Sequence, residues 1–195
     1  MADKYKTISE NVSEGFYSEK RSKFLAFAHH VDSVDEAMTI VKDYKRKYYD
    51  ARHCCYAYVL GEERDIFRAN DDGEPSSTAG KPILGQINRL ELTNILVVVI
   101  RYYGGVNLGT GGLIVAYRTA TEDALNNAKI EERIVEARVS YQFTYPMINA
   151  VMRVVKDTGA RIVSQTFDNT CEIILSVPKS HTEKLKSRLE KLSFE

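Results

Sequence analysis

The stretch that decides the fold is Asn94 to Lys129, NILVVVIRYYGGVNLGTGGLIVAYRTATEDALNNAK. Asn94 to Ile100 form an apolar run rich in Val and Ile, the composition of a strand buried on both faces. Leu113 to Lys129 read as a helix, because Leu113, Tyr117, Ala120, Ala124 and Ala128 recur at helical spacing. Between the two lie Gly104, Gly105, Gly109, Gly111 and Gly112. Glycine loses more conformational freedom on folding than any other residue, so such a cluster needs a reason. Two are open. The glycines let helix and strand pack closely, or they expose backbone N–H groups as an anion-binding concavity at a helix N-terminus.

Two nucleotide motifs are absent. The dinucleotide fingerprint requires G-x-G-x-x-G, and this loop does not have it. Gly104 and Gly109 have the spacing of the NTPase phosphate loop. Thr110 and Gly111 follow, where that loop needs Lys and then Ser or Thr. No cofactor is therefore expected.

Working outward, Asn70 to Lys81, NDDGEPSSTAGK, has the chemistry of a turn. Asp71, Asp72 and Glu74 concentrate carboxylates there. Calcium-loop spacing is missing, so no metal is expected, and the carboxylates can instead pair with Arg101. Ser76, Ser77 and Thr78 stand where they can cap a helix running from Pro82 to Leu90. Upstream, Arg52 to Leu60 and Asp65 to Ala69 read as a hairpin, with His53 near its start. His53, Asp71, Asp72, Glu74 and Arg101 are the candidate catalytic residues. They supply the imidazole, carboxylate and guanidinium groups of an acid–base or phosphoryl-transfer site. No nucleophile–base pair can be assigned among them. Arg101 with Gly104, Gly105, Gly109, Gly111 and Gly112 is the candidate ligand-binding set.

These blocks carry a resemblance. Arg101-Tyr102-Tyr103-Gly104-Gly105, Leu108-Gly109, Gly112-Leu113 and Ala116-Tyr117 form one. Asp71-Asp72-Gly73-Glu74-Pro75-Ser76 with Thr78-Ala79-Gly80 and Pro82 form a second, and His53 with Ala57-Tyr58 a third. In this order and spacing they resemble the IMPACT/YigZ family, over nearly the whole chain and most strongly over residues 15 to 125. Two positions depart from the family pattern: Ser77, often Gly, which narrows the turn's freedom, and Arg52, often a small polar residue. The resemblance implies a ribosomal protein S five domain two-like fold followed by a ferredoxin-like domain, a pairing similar to the fourth and fifth domains of elongation factor G. It also implies a link to translational control. In eukaryotic members that role runs through an additional domain that this chain is expected to lack.

The remaining sequence fits an α+β protein of two domains, 1–130 and 137–195, joined near Ile130 to Glu136. Phe16 to Val31 read as strands about a polar turn, with His29 and His30 on opposite faces. Ser33 and Glu36 have capping-box spacing and open a helix. Its outer face carries Lys42, Lys45, Arg46 and Lys47 beside tyrosines, the candidate RNA-binding track or a solvated helix face. The expected first domain has its helices on one face of a sheet. Beyond Glu136 the order is strand, helix, strand, strand, helix, with Gly159 ending the first helix, Ser180 and Glu183 capping the second, and Cys171 a buried thiol. That is a ferredoxin-like unit without its final strand.

Lys plus Arg and Asp plus Glu balance at 27 each, which argues against a strongly electrostatic nucleic-acid binder. Three cysteines, two of them adjacent, make no disulfide framework. No membrane span and no signal peptide are expected, and the location read from this is cytoplasmic. The function expected is a binding protein associated with RNA or the ribosome, with no DNA preference. An enzyme acting on a phosphate-bearing substrate and a scaffold for protein partners are the alternatives.

Overall fold

A strand that is apolar along its length needs cover on both faces, and the fold supplies it. A computed structural model describes residues 3–193. Its elements are Lys4–Ile8 (β1), Ser13–Glu19 (β2), Ser22–His30 (β3), Val34–Lys47 (α1), His53–Leu60 (β4), Ile66–Asn70 (β5), Gly80–Arg89 (α2), Ile95–Tyr102 (β6), Gly109–Asn126 (α3), Ile130–Ile134 (β7), Glu136–Phe143 (β8), Ile148–Thr158 (α4), Arg161–Phe167 (β9), Cys171–Pro178 (β10) and Thr182–Leu192 (α5). The described residues divide into two compact units, one spanning Tyr5–Arg133 and the other holding residues 134–193 with residues 3–4.

In the first unit a five-stranded antiparallel sheet has the order β2-β3-β6-β4-β5. β6 is central. Its Ile95, Val97 and Val99 pack with Ile83 and Ile87 of α2 and with Leu113, Ala116, Tyr117 and Ala120 of α3. Its Leu96, Val98 and Ile100 pack on the other side with Ala37 and Val41 of α1. All six β6 side chains are fully buried. The sheet therefore carries helices on both faces, not on one as the sequence suggested. The second apolar face, which includes Phe27, Cys54, Tyr56 and Leu60, needs a cover, and the narrow inward stripe of α1 provides it. β1 pairs with β7 in a separate two-stranded sheet.

Local chemistry sets the element ends. Ser33 Oγ accepts the Glu36 N–H at 3.1 Å, as the capping spacing predicts, while the Glu36 carboxylate reaches one residue further back and accepts the Asp32 N–H at 2.8 Å. α3 begins at Gly109 rather than Leu113, so Gly109, Gly111 and Gly112 lie in its first turn. The packing of Leu113, Ala116 and Tyr117 outweighs the poor helix propensity of glycine. Gly104 has a packing reason: a Cβ there would stand 2.2 Å from the backbone carbonyl carbon of Arg21.

In the second unit β8, β10 and β9 form an antiparallel sheet in that order. Val139, Phe143, Ile173 and Leu175 from the sheet pack with Val151 and Val155 of α4 and Leu185 and Leu189 of α5. The first–third–second strand order with two packed helices is ferredoxin-like. Cys171 is buried in this core, and Gly159 closes α4 in the left-handed conformation at φ 67°. Ser180 does not cap α5. A 3-10 turn at Lys179–His181 intervenes, and α5 has no side-chain cap.

Candidate functional site

His53 and Arg101 are cross-strand partners in the β4–β6 pairing, so their side chains share one face of the sheet. Glu74, from the acidic turn, lies over them. Arg101 Nη1 donates to Glu74 Oε1 at 2.6 Å, and the Tyr117 hydroxyl donates to the same oxygen at 2.7 Å. Glu74 Oε2 stands 3.6 Å from His53 Nε2. His53 Nδ1 is 2.8 Å from the Asp72 carbonyl oxygen. A carbonyl can only accept, so Nδ1 carries a proton and Nε2 faces the carboxylate. The Glu74 and Arg101 side chains are 2% and 6% exposed, which makes this a desolvated ion pair. Burial pushes the Tyr117 hydroxyl far above its ordinary range, so it stays a donor. Burial also pushes the Cys54 thiol up to about 12 and raises Cys55. Neither is a ready thiolate nucleophile.

Asp71 and Asp72 direct their carboxylates elsewhere. Asp71 Oδ1 accepts the N–H groups of Ala79 and Gly80 at 3.1 and 2.8 Å, and Oδ2 that of Ser77 at 2.9 Å. It satisfies the start of α2 from outside the helix, the role expected of Ser76, Ser77 or Thr78. The Thr78 hydroxyl donates to the Pro75 carbonyl instead. Asp72 accepts from Lys45 Nζ at 2.8 Å and from the Cys54 N–H at 2.7 Å. Of the three carboxylates, Glu74 is the one bonded to Arg101. The turn that sorts them is strained: Ser77, where the family pattern often has Gly, sits at φ 64°. A left-handed residue other than glycine costs about 1–2 kcal/mol, partly offset by glycine's greater unfolded-state freedom. Ser77→Gly is expected to raise stability by about 0.5–1 kcal/mol, read as an increased urea midpoint with an unchanged slope.

A cleft of about 470 Å³ opens beside this cluster, lined by Arg52, His53, Glu74, Pro75, Arg101, Tyr103, Asn107, Leu108, Gly109, Thr110 and Leu113. α3 presents its N-terminus here and has no side-chain cap, so its first N–H groups and positive dipole end face the opening. The glycines separate by role. Gly105 and Gly109 hold positive φ values of 88° and 73° in open space, and Gly112 approaches Leu108. Gly111 has neither an unusual φ nor any atom that a Cβ would meet. The Arg101 guanidinium lies 5.6 Å from the ring centroids of both Phe24 and Tyr103. Its Nε is buried without a hydrogen-bond partner.

The α1 cations divide. Lys42 is exposed. Lys45 is bound to Asp72, Arg46 to Asp43 at 3.0 Å, and Lys47 lies 5.3 Å from the Tyr48 ring centroid. Two contributors to the cluster were missed in the sequence. Tyr117 enters the sequence reading as part of a core stripe and of a family block, yet a buried tyrosine hydroxyl needs a partner, and that is a signal for a buried carboxylate. Tyr103 was read only as a family letter. Among the described residues no group of three or more His, Cys, Asp or Glu could hold a metal ion. No helix there is long and apolar enough to cross a membrane.

The Impact N-terminal domain matches residues 20–125, which contain the whole cleft. A Haemophilus influenzae protein described as an IMPACT family member is 32% identical over 176 residues, 89% of this chain and 85% of the relative. The chain belongs to the IMPACT family. YigZ of Escherichia coli, another IMPACT family member, is 30% identical over 176 residues, covering 89% of this chain and 86% of YigZ. A crystal structure of a hypothetical protein superposes with a TM-score of 0.76 at 27% identity, over 99% of this chain and 94% of that one. In this IMPACT family member the three sequence blocks converge. His53, Glu74, Arg101, Leu108, Gly109 and Leu113 line the cleft, and Tyr117 bonds to Glu74 behind it.

Proposed function

We propose that this IMPACT family member is a cytoplasmic binding protein that associates with RNA or the ribosome and is linked to the regulation of translation. Its cleft at the start of α3 would be the phosphate contact. The observation that carries the phosphate contact is the uncapped N-terminus of α3 opening onto a cleft that also holds Arg52, His53 and Arg101. A helix N-terminus favours an anion by about 0.3–1 kcal/mol, and guanidinium–phosphate bonds add charge-assisted contacts. The link to translation comes from the family. With a net charge of zero, affinity rests on a few phosphate contacts, and the salt dependence is shallow.

The test is fluorescence anisotropy with a short labelled RNA at two salt concentrations. Exposed Arg52 can be changed to Ala with little effect on folding. Wild type is expected to bind, and Arg52→Ala to bind about five- to tenfold more weakly with a smaller salt slope. An RNA that fails to bind even at low salt, or binds Arg52→Ala as tightly as wild type, removes this reading. A second reading, an enzyme on a phosphate-bearing substrate, has one observation in its favour. The Asp72 carbonyl holds His53 by Nδ1, and His53 lines the cleft with Nε2 directed to Glu74 at 3.6 Å, an imidazole–carboxylate pair of the kind a general acid or base uses. A phosphate-releasing activity that His53→Gln abolishes would establish it.

A further inference from the structure

We propose that the cleft selects a nucleotide carrying a terminal phosphomonoester, its phosphate at the start of α3 and its base stacked on Tyr103. This rests on the reading of the cleft as a phosphate site and names the ligand class it takes.

Two independent features mark the phosphate end. The first turn of α3 is uncapped, and its Gly111 has no packing or conformational reason to be glycine. Arg101 lines the same cleft, is 5% exposed, and keeps its Nε unpartnered. The charge balance then favours a dianion. Two lining guanidiniums, Arg52 and Arg101, and the helix end face one lining carboxylate, Glu74, and that carboxylate already accepts from Arg101 and Tyr117. A phosphomonoester carries close to two negative charges near neutral pH, whereas an internal phosphodiester carries one, so the same groups attract the terminal group more strongly.

Tyr103 supplies the other end. The residue is 45% exposed and lines the cleft. Its hydroxyl donates to Asn107 Oδ1 at 3.1 Å, and the Arg101 guanidinium lies over the ring. An aromatic ring already held in place loses little freedom when a base stacks on it, and such stacking tolerates any base. The volume of about 470 Å³ falls in the range of small-ligand sites, about 300–1,000 Å³.

The ligand can be a free nucleotide or the phosphorylated end of an RNA, and the experiment separates them. Binding of the full chain is measured to a tetranucleotide RNA with a 5′-phosphate, the same RNA with a 3′-phosphate, the unphosphorylated RNA, adenosine 5′-monophosphate and adenosine. At least one phosphorylated ligand is expected to bind tenfold or more tighter than its unphosphorylated counterpart. Tyr103→Ala is expected to reduce that binding about tenfold while leaving the melting temperature within a degree or two. Tight mononucleotide binding with no RNA binding supports this proposal and removes the RNA reading. RNA that binds equally with and without a terminal phosphate overturns this proposal and leaves the RNA reading standing. Failure of every phosphorylated ligand to bind, or indifference of their binding to Tyr103→Ala, overturns it as well.

Discussion

Glu74→Ala is expected to destabilise the Tyr5–Arg133 unit by about 3–5 kcal/mol, the cost of stranding one partner of a buried ion pair. The size follows from what the carboxylate holds. It neutralises a guanidinium that is itself 6% exposed and sits between the Phe24 and Tyr103 rings. It also accepts the hydroxyl of fully buried Tyr117. Removing it leaves a desolvated cation and an unsatisfied donor, and an orphaned buried donor alone costs about 1–3 kcal/mol. These penalties overlap, so they do not add. Glu74→Gln keeps the shape and an acceptor but loses the charge, and is expected to fall between Glu74→Ala and wild type. Urea unfolding followed by far-UV circular dichroism measures both. A loss below about 1 kcal/mol for Glu74→Ala would show that Arg101 finds water or another partner, and that the pair does not hold the cleft in shape.

That expectation was only half legible in the sequence. The unbroken apolar run of β6 dictates a strand covered on both faces, and its six inward and outward side chains alternate as required. The helix after it was equally plain, except that its start hid among glycines. Which helix covers the second face was not plain, because α1 has a basic outer surface and buries only Ala37 and Val41. β1 and β7 carried no local signal. They are short, largely polar, and meet only because the chain returns between them. The acidic turn shows the limit most clearly. Asp71, Asp72 and Glu74 are chemically alike, and composition cannot say which one turns inward. The choice is made by the backbone, through positive φ at Asp72 and Ser77 and through the N–H groups of α2 that capture Asp71. Long-range geometry of that kind has no signature in spacing. The resemblance grouped these residues correctly without telling their roles apart.

The glycine cluster left two explanations open, and paired substitutions separate them. Gly104→Ala would place a methyl 2.2 Å from the Arg21 carbonyl carbon and 2.4 Å from the Ser22 nitrogen. Both contacts are backbone, so the turn between β2 and β3 must shift. Overpacking of this kind costs about 1–3 kcal/mol or more. Gly111→Ala meets nothing and sits within α3. There alanine gains helix propensity, so stability is expected to rise by about 0.5–1 kcal/mol. Gly111 lies in the first turn between Thr110 and Leu113, which line the cleft, and a helical Cβ leans toward the N-terminus, so a methyl there is added beside the helix end that the phosphate reading uses. Gly111→Ala is therefore expected to raise the melting temperature by a few degrees while weakening binding of a phosphate-bearing ligand about tenfold or more. A site residue is distinguished from a packing residue by that opposition, since better folding with worse binding cannot come from lost packing. If Gly111→Ala destabilises as Gly104→Ala does, the cluster is a tight crossover and nothing more. If it stabilises and binding is unchanged, the ligand is held by Arg52 and Arg101 away from the helix end.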